Sequence, residues 1–412
     1  MARILICEEA LKNKSGHWYE YNKAIVNAAR KRSHEVTLLA HQDIECDLRQ
    51  ELEAAPFFPV TSWDQSYNYP RAWKRYLGIL RHNISIARLL QKHFKAETAP
   101  YDVVLVPTVV LYHWLAWRWL VFRGAGKWFG RVVLTTRNNA GEYDPDSRSY
   151  TFNTSAKVLA RVLKSFRRSV DSGVVEFASD SSVLCRQYEE LCALDFRPYP
   201  HPRPTVHLPI SAKTPRDELV FSALGPPRFE KGSDLIVKAI QQVLNEDPKF
   251  PARFVLHWTE PVYSPEGAEA ILPNEWEIHP KVEVIRESLT SEEYQRRIDE
   301  AGVILLPYRR SQYHARLSGI VIEAFQSGIP CICISDTWLE ECLNKIGKGS
   351  VMEEETSECL ARAIQMISNS LPTYQFSEEE INLARSAHSP ASFLEQLLPC
   401  LLYTSPSPRD RS

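Results

Sequence analysis

With 412 residues, the chain is two to three times the usual domain length of roughly 100–200 residues, which predicts two domains, each able to bury its own core. Charged residues make up 24% and the hydrophobic class 44%, a balance that excludes disorder, collagen-like repeats and a bundle of membrane spans. The formal charge of −2 is unevenly divided: residues 1–200 carry 28 Lys+Arg against 21 Asp+Glu, and residues 201–412 carry 21 against 30, so the first half is expected to face something anionic, such as a phosphorylated substrate or a membrane surface, although its charge is too dilute for a nucleic-acid groove.

In chain order, Arg3 to Cys7 reads as a buried strand, Ser15-Gly16-His17 as a loop, Trp18 to Arg32 as an amphipathic helix and Glu35 to Ala40 as the next strand. Strand, glycine-bearing loop, helix, strand is a βαβ unit and implies a parallel sheet covered by helices. Asp102 to Val106, Val132 to Thr136 and Val174 to Ala178 continue it as buried strands. The apolar run Val103 to Phe122 is broken by Pro107, His113 and Arg118, so it reads as two short elements rather than a membrane span, and His113 as a satisfied core or surface residue. Residues 1–198 form one expected doubly wound domain. The prolines of Arg197-Pro-Tyr-Pro-His-Pro-Arg-Pro204 predict a stiff linker over 199–216.

A second series starts with the strand Leu219 to Leu224, the loop Gly225 to Lys231 and the helix Ser233 to Leu244. Strands at Arg253–His257, Val282–Ile285, Val303–Leu306 and Pro330–Ile334 follow, with helices at Ser291–Glu300, Ser318–Gln326 and near Glu358–Ser368. The second domain is placed at 217–400. Residues 401–412, rich in Ser, Pro and Arg and without periodicity, are set aside as a non-native or disordered tail. The expected architecture is α/β, two doubly wound Rossmann-like domains facing across a cleft. Nine scattered cysteines with no CxxC pair indicate a reducing, cytoplasmic compartment, and Cys331 and Cys333 read as core packing in a strand.

Two segments carry chemistry. In the first, a strand ends at Leu224-Gly225, a loop bears Arg228 and Lys231, and a helix opens at Gly232-Ser233, which sets two cations beside the N–H groups of a helix N-terminus and suits a phosphate group. It is neither a Walker loop nor GxGxxG. In the second, a polar loop after Leu306 leads to Ser318, a candidate N-cap, then Gly319 and a short apolar helix holding Glu323, whose carboxylate needs either a structural cation or ligand hydroxyls.

Together these segments resemble the C-terminal, nucleotide-sugar-binding domain of GT-B glycosyltransferases, most closely the retaining enzymes of family 4, over roughly residues 217–340. The resemblance implies that Arg228 and Lys231-Gly232 hold the donor diphosphate, that Ser318-Gly319 supplies backbone amides to phosphate and that Glu323 binds the ribose hydroxyls, with Gly225, Arg316 and Ile320 also among the donor-binding residues. Arg228 and Lys231 would stabilise the leaving group. In the first half, Gly16 and His17 after the first strand would contact donor sugar or acceptor. The family's Glu-x7-Glu motif has Ala315 at its first position, with His314 and Arg316 as neighbours able to substitute, and the strand end Thr136-Arg-Asn-Asn139 lacks the histidine that many members carry there. The resemblance implies transfer of a sugar from a nucleotide-diphosphate donor to a glycan or lipid-linked acceptor, as in polysaccharide biosynthesis, with retention and without metal or other cofactor. Asp144-Pro-Asp146 reads as a turn, not a metal-binding DxD. A degenerate nucleotide-binding protein, an epimerase and a phosphorylase are the alternatives.

Lys157, Arg161, Lys164 and Arg168 fall on one helical stripe, and Trp114, Trp117, Trp119, Arg118 and Arg123 form an aromatic, basic neighbourhood. A peripheral membrane contact through 114–131 and 157–168, at the inner face of the membrane, is the expectation they raise.

Overall fold

The computed structural model describes residues 1–14, 17–62, 71–110, 113–203 and 218–399. Gly16 and the tail at 401–412 lie outside the described residues, as does 204–216 of the expected linker.

The first sheet contains β1 (Arg3–Cys7), β2 (Glu35–His41), β3 (Ala55–Phe58), β4 (Tyr101–Val106), β5 (Phe129–Thr136), β8 (Val175–Ser179) and β9 (Phe196–Pro198) in the spatial order 3-2-1-4-5-8-9, all parallel. Ile4, Leu5 and Ile6 are fully buried, because helices cover both faces and leave β1 no polar side. β6 (Glu142–Asp144) and β7 (Ser149–Thr151) form a two-stranded hairpin. At its tip the Asp144 carboxylate accepts from the Asp146 amide and the Ser147 hydroxyl, which closes the turn.

In the second sheet, β10 (Leu219–Ala223), β11 (Ala252–His257), β14 (Val282–Ile285), β15 (Val303–Leu306), β16 (Cys331–Ile334) and β17 (Gly349–Met352) run parallel in the order 14-11-10-15-16-17. β12 (Val262–Tyr263) and β13 (Glu269–Ala270) pair separately. Both sulfurs of Cys331 and Cys333 are buried, and burial pushes both thiols up. None of the described helices is long and apolar enough to cross a membrane.

Two compact units result. One takes residues 1–142, 150–203 and the chain from His388; the other takes 143–149 and 218–387. This differs from the sequence reading in two places. Pro198 does not end regular structure: β9 lies at the sheet edge, where a residue lacking an N–H is tolerated, and the described part of the expected linker, 199–203, stays packed, with the Tyr199 amide donating to Ser179, its hydroxyl to Glu176, and the Arg203 amide to His388. The second domain also stops short of 400. The helix Pro390–Leu397 belongs to the first unit, where Phe393, Leu394 and Leu397, all fully buried, join the core beside the helix His17–Lys31. The Phe393 ring meets Tyr21 edge-on at 5.8 Å and Tyr199 at 5.3 Å.

Phe393→Ala is therefore expected to cost about 3–5 kcal/mol through the cavity it leaves. In chemical denaturation the loss falls on the transition of the first unit, and that of the second keeps its midpoint.

Candidate functional site

The second sheet reverses its winding direction between β10 and β15, which pair side by side. Loops leaving their carboxyl ends turn to opposite faces and open a crevice. A pocket of about 350 Å³, partly open to solvent, occupies this place, lined by Gly225, Pro227, Lys231, His257, Trp258 and Tyr308 among others.

The chain enters the pocket through Gly225, at φ +87°. After Arg228 comes a 3-10 turn, Phe229–Lys231, and then Gly232 at φ +69° caps the helix Ser233–Glu246. A side chain at Gly232 would overlap the Pro307 carbonyl oxygen, so glycine is required both by the left-handed backbone and by the approach of the neighbouring loop. The helix N-terminus is less open than its sequence suggests: the turn takes the Gly232 and Ser233 amides, which donate to Phe229 and Arg228, and the Arg228 amide donates to the Ser233 hydroxyl.

Lys231 Nζ donates to the Pro226 carbonyl at 3.0 Å. Burial lowers its ammonium to about 8, helped by the positive charges of Arg228 and, more weakly, Arg316, against the opposing pull of Glu230. Arg228 is half-exposed, with Glu230 3.6 Å away, and Arg316 lies over the Tyr313 ring at 4.9 Å. The two arginines make the Lys231 ammonium less favourable, and an anion bound beside them would relieve that cost.

Arg309, not singled out by the sequence, fixes this loop. Its guanidinium grips both oxygens of Asp234 at 2.8 and 2.7 Å, donates to the Phe229 carbonyl at 3.1 Å and stacks 3.9 Å from the Phe229 ring. Its own amide donates to the Glu230 carbonyl. His257 and Trp258 were also missed, although their position at the carboxyl end of a parallel strand beside the reversal was the available signal. His257 Nε2–H donates to the Glu287 carbonyl at 2.9 Å, which leaves buried Nδ1 as an acceptor without a partner among the described atoms.

The second predicted segment is only partly as expected. Ser318 occupies the N-cap position of the helix Gly319–Gln326, yet its side chain makes no capping bond; it interacts with the Tyr308 phenol instead. That phenol is pushed up by burial, then by Tyr313, and more weakly by Glu323, so the half-buried Glu323 carboxylate acts on a pocket-lining group. Gly319 and Ile320 open the helix, and Ile320 is buried. Ala315 is buried as well, and a carboxylate at its position would be taken out of water. His314 stacks on Tyr143 at 3.5 Å, and its Nδ1–H donates to the Asp336 carbonyl at 2.6 Å.

In the first unit, His17 opens the helix His17–Lys31, its side chain lying outside the described atoms. The strand end at Thr136 presents Arg137, which lies 4.1 Å over the Tyr21 ring and 3.6 Å from Asp180. Burial lifts the nearby Glu8 carboxyl to about 7. His113 is a core residue with a partner, as expected: its ring nitrogen is 2.6 Å from buried Glu9.

No protein-family profile matches the sequence, and no curated protein does. Solved structures do match along nearly the whole chain. A glycosyltransferase from Rickettsia africae superposes with a TM-score of 0.63 at 13% identity, covering 98% of this chain and 99% of that one. Sucrose-phosphate synthase from Thermosynechococcus elongatus gives 0.59 at 14%, covering 98% and 99%. HepE from Anabaena in complex with UDP-glucose gives 0.58 at 11%, covering 98% and 100%. The fold of this chain is the GT-B fold, two Rossmann-like domains with parallel sheets.

Removing Arg309 leaves Asp234 uncompensated in a place where both side chains are about six-sevenths buried. Arg309→Ala is expected to cost about 2–3 kcal/mol, below the range for a fully buried pair. A double-mutant cycle with Asp234→Ala is expected to give a coupling energy above about 1 kcal/mol in urea denaturation.

Proposed function

We propose that the chain is a glycosyltransferase of the retaining, family 4-like kind, moving a sugar from a nucleotide-diphosphate donor to a glycan or lipid-linked acceptor without a metal. The observation that carries this reading is Lys231 in the crevice of a GT-B second domain, with Arg228 and Arg316 close enough to lower its ammonium. A diphosphate leaving group develops charge as the glycosidic bond breaks, and fixed cations stabilise that charge without reorganising. Arg228 and Lys231 take this role, Arg316 and the backbone from Ser318 to Ile320 hold the donor, and Glu323 takes the ribose hydroxyls. Gly16 and His17 serve the sugar or acceptor. HepE, a structure of the same fold, was solved with UDP-glucose, which supports a nucleotide sugar as donor.

Ala315 favours a second reading, a protein that binds the nucleotide without transfer. Calorimetric titration with UDP, GDP, ADP and their sugar conjugates, followed by a hydrolysis and transfer assay, separates the two. One nucleotide is expected to bind, and Lys231→Ala to weaken transfer about 100- to 1,000-fold. Free Lys231 loses its proton near pH 8, so above that value binding a diphosphate must take a proton up, and affinity is expected to fall by up to about tenfold per pH unit. Binding that is unchanged between pH 7 and pH 9, or a wild-type-like Lys231→Ala, rejects the assignment.

A membrane surface is the partner proposed for the first domain. The helix Trp114–Gly124 buries Trp114 and Trp117 and leaves Phe122 75% exposed; the helix Thr154–Lys164 exposes Lys157, Arg161 and Lys164. Arg168 sits on a separate short helix, Arg167–Asp171, because fully buried Phe166 interrupts the expected single stripe. The helix Ala72–Ala96, packed against Trp114–Gly124, adds Trp73, 57% exposed, with Tyr76, Leu80 and Ile84 following at helical spacing. Apolar side chains among Lys and Arg suit an anionic bilayer. Co-sedimentation with vesicles containing phosphatidylglycerol is expected, and to be lost in Phe122→Ser combined with Trp73→Ser; equal pelleting with neutral vesicles overturns the proposal.

A further inference from the structure

The first sheet also reverses its winding, between β1 and β4, and three buried side chains meet near the carboxyl ends of those strands. Glu9 follows β1 and is 6% exposed; His82, in the helix Ala72–Ala96, is 1% exposed; His113, just before the helix Trp114–Gly124, is 4% exposed. His113 Nε2 stands 2.6 Å from Glu9 Oε2, and His82 Nε2 stands 3.5 Å from the same oxygen. One ligand atom from each of the three lies within 4.8 Å of the others, the only such group of His, Cys, Asp and Glu among the described residues. The other Glu9 oxygen accepts from the Ser62 amide, which holds the carboxylate in orientation.

We propose that Glu9, His82 and His113 form a binding site for a divalent transition-metal ion of the zinc class. Two imidazoles and one carboxylate are a donor set zinc takes, with the fourth position left to water. Ligand atoms about 2.1 Å from zinc in a tetrahedron stand about 3.4 Å apart, so the His82–Glu9 spacing already fits and His113 needs to withdraw by less than 1 Å. A lone ion pair explains one imidazole. It does not explain why a second, equally removed from water, converges on the same oxygen; charging both would bury an excess positive charge, whereas two neutral rings and a carboxylate are what a dication requires.

The scaffold holds these groups firmly. Asn83, next to His82, donates to the Ile79 carbonyl and accepts from the Ala116 amide at 2.7 Å, tying the two histidine-bearing segments together. The His113 amide donates to Val110, and the Val109 amide to Thr135 at the end of β5. The metal would clasp the chain after β1, the helix before β4 and the chain after β4.

The test is uptake of Co2+ and Zn2+ by chelator-treated protein. One equivalent per chain is expected, with a visible ligand-field spectrum for four-coordinate cobalt, no thiolate charge-transfer band, and a melting temperature raised by zinc. His82→Gln and His113→Gln are each expected to weaken binding roughly a hundredfold or more, since loss of even an outer partner of a metal ligand costs ten- to a hundredfold. Circular dichroism checks that the variants remain folded; should they unfold, the wild-type cobalt spectrum alone decides. Absence of uptake by wild type, a thiolate band, or equal uptake by folded variants overturns the proposal.

Discussion

Everything that chemistry can use in this protein follows from one topological constraint: each parallel sheet is wound outward in both directions from a strand near its middle, β1 in the first and β10 in the second. Right-handed crossovers then place the first helices on one face and the later ones on the other. Where the winding changes direction, no connection covers the strand ends. The cation pocket lies at that opening in the second sheet and the Glu9–His82–His113 cluster near it in the first, although the residues themselves have nothing in common.

Holding like charges together at such an opening is unfavourable, and the surrounding residues show how the cost is met. Lys231 keeps a carbonyl for its ammonium, Arg316 an aromatic face and Arg228 a distant carboxylate and solvent. Arg309 is the counterpart that is fully matched: a bidentate carboxylate, a carbonyl and a ring. The contrast separates cations that stabilise the loop from cations that keep capacity for a ligand.

Much of this was legible from residue pattern. Strands buried on both faces announce themselves as short runs such as Arg-Ile-Leu-Ile-Cys and Val-Ile-Leu-Leu, and β1 and β15 begin and end where those runs do. The loop from Gly225 to Gly232 was readable because glycine and cations between a strand and a helix are local signals. Contributions from distant chain were not. Arg309 lies 75 residues from Asp234, and His82 and Glu9 meet only because helix and sheet bring them together. β9 was hidden by its proline, which only its edge position excuses, and Phe166 broke a helix that charge spacing alone would have continued.

The place of the helix Pro390–Leu397 also has a bearing on how the molecule is made. A ribosome delivers the chain from its first residue, and domains ordinarily complete themselves in that sequence. Here the amino-terminal unit lacks Phe393, Leu394 and Leu397 from its core until after residues 218–387 have been synthesised, so the second unit has all its strands available first. Nascent β1 to β9 must wait, with the surface beneath that helix open to water, for the segment that seals it. Completion of the two units is thus expected in the order opposite to translation, and a chain cut off between residues 387 and 393 would carry one complete unit and one exposed apolar face.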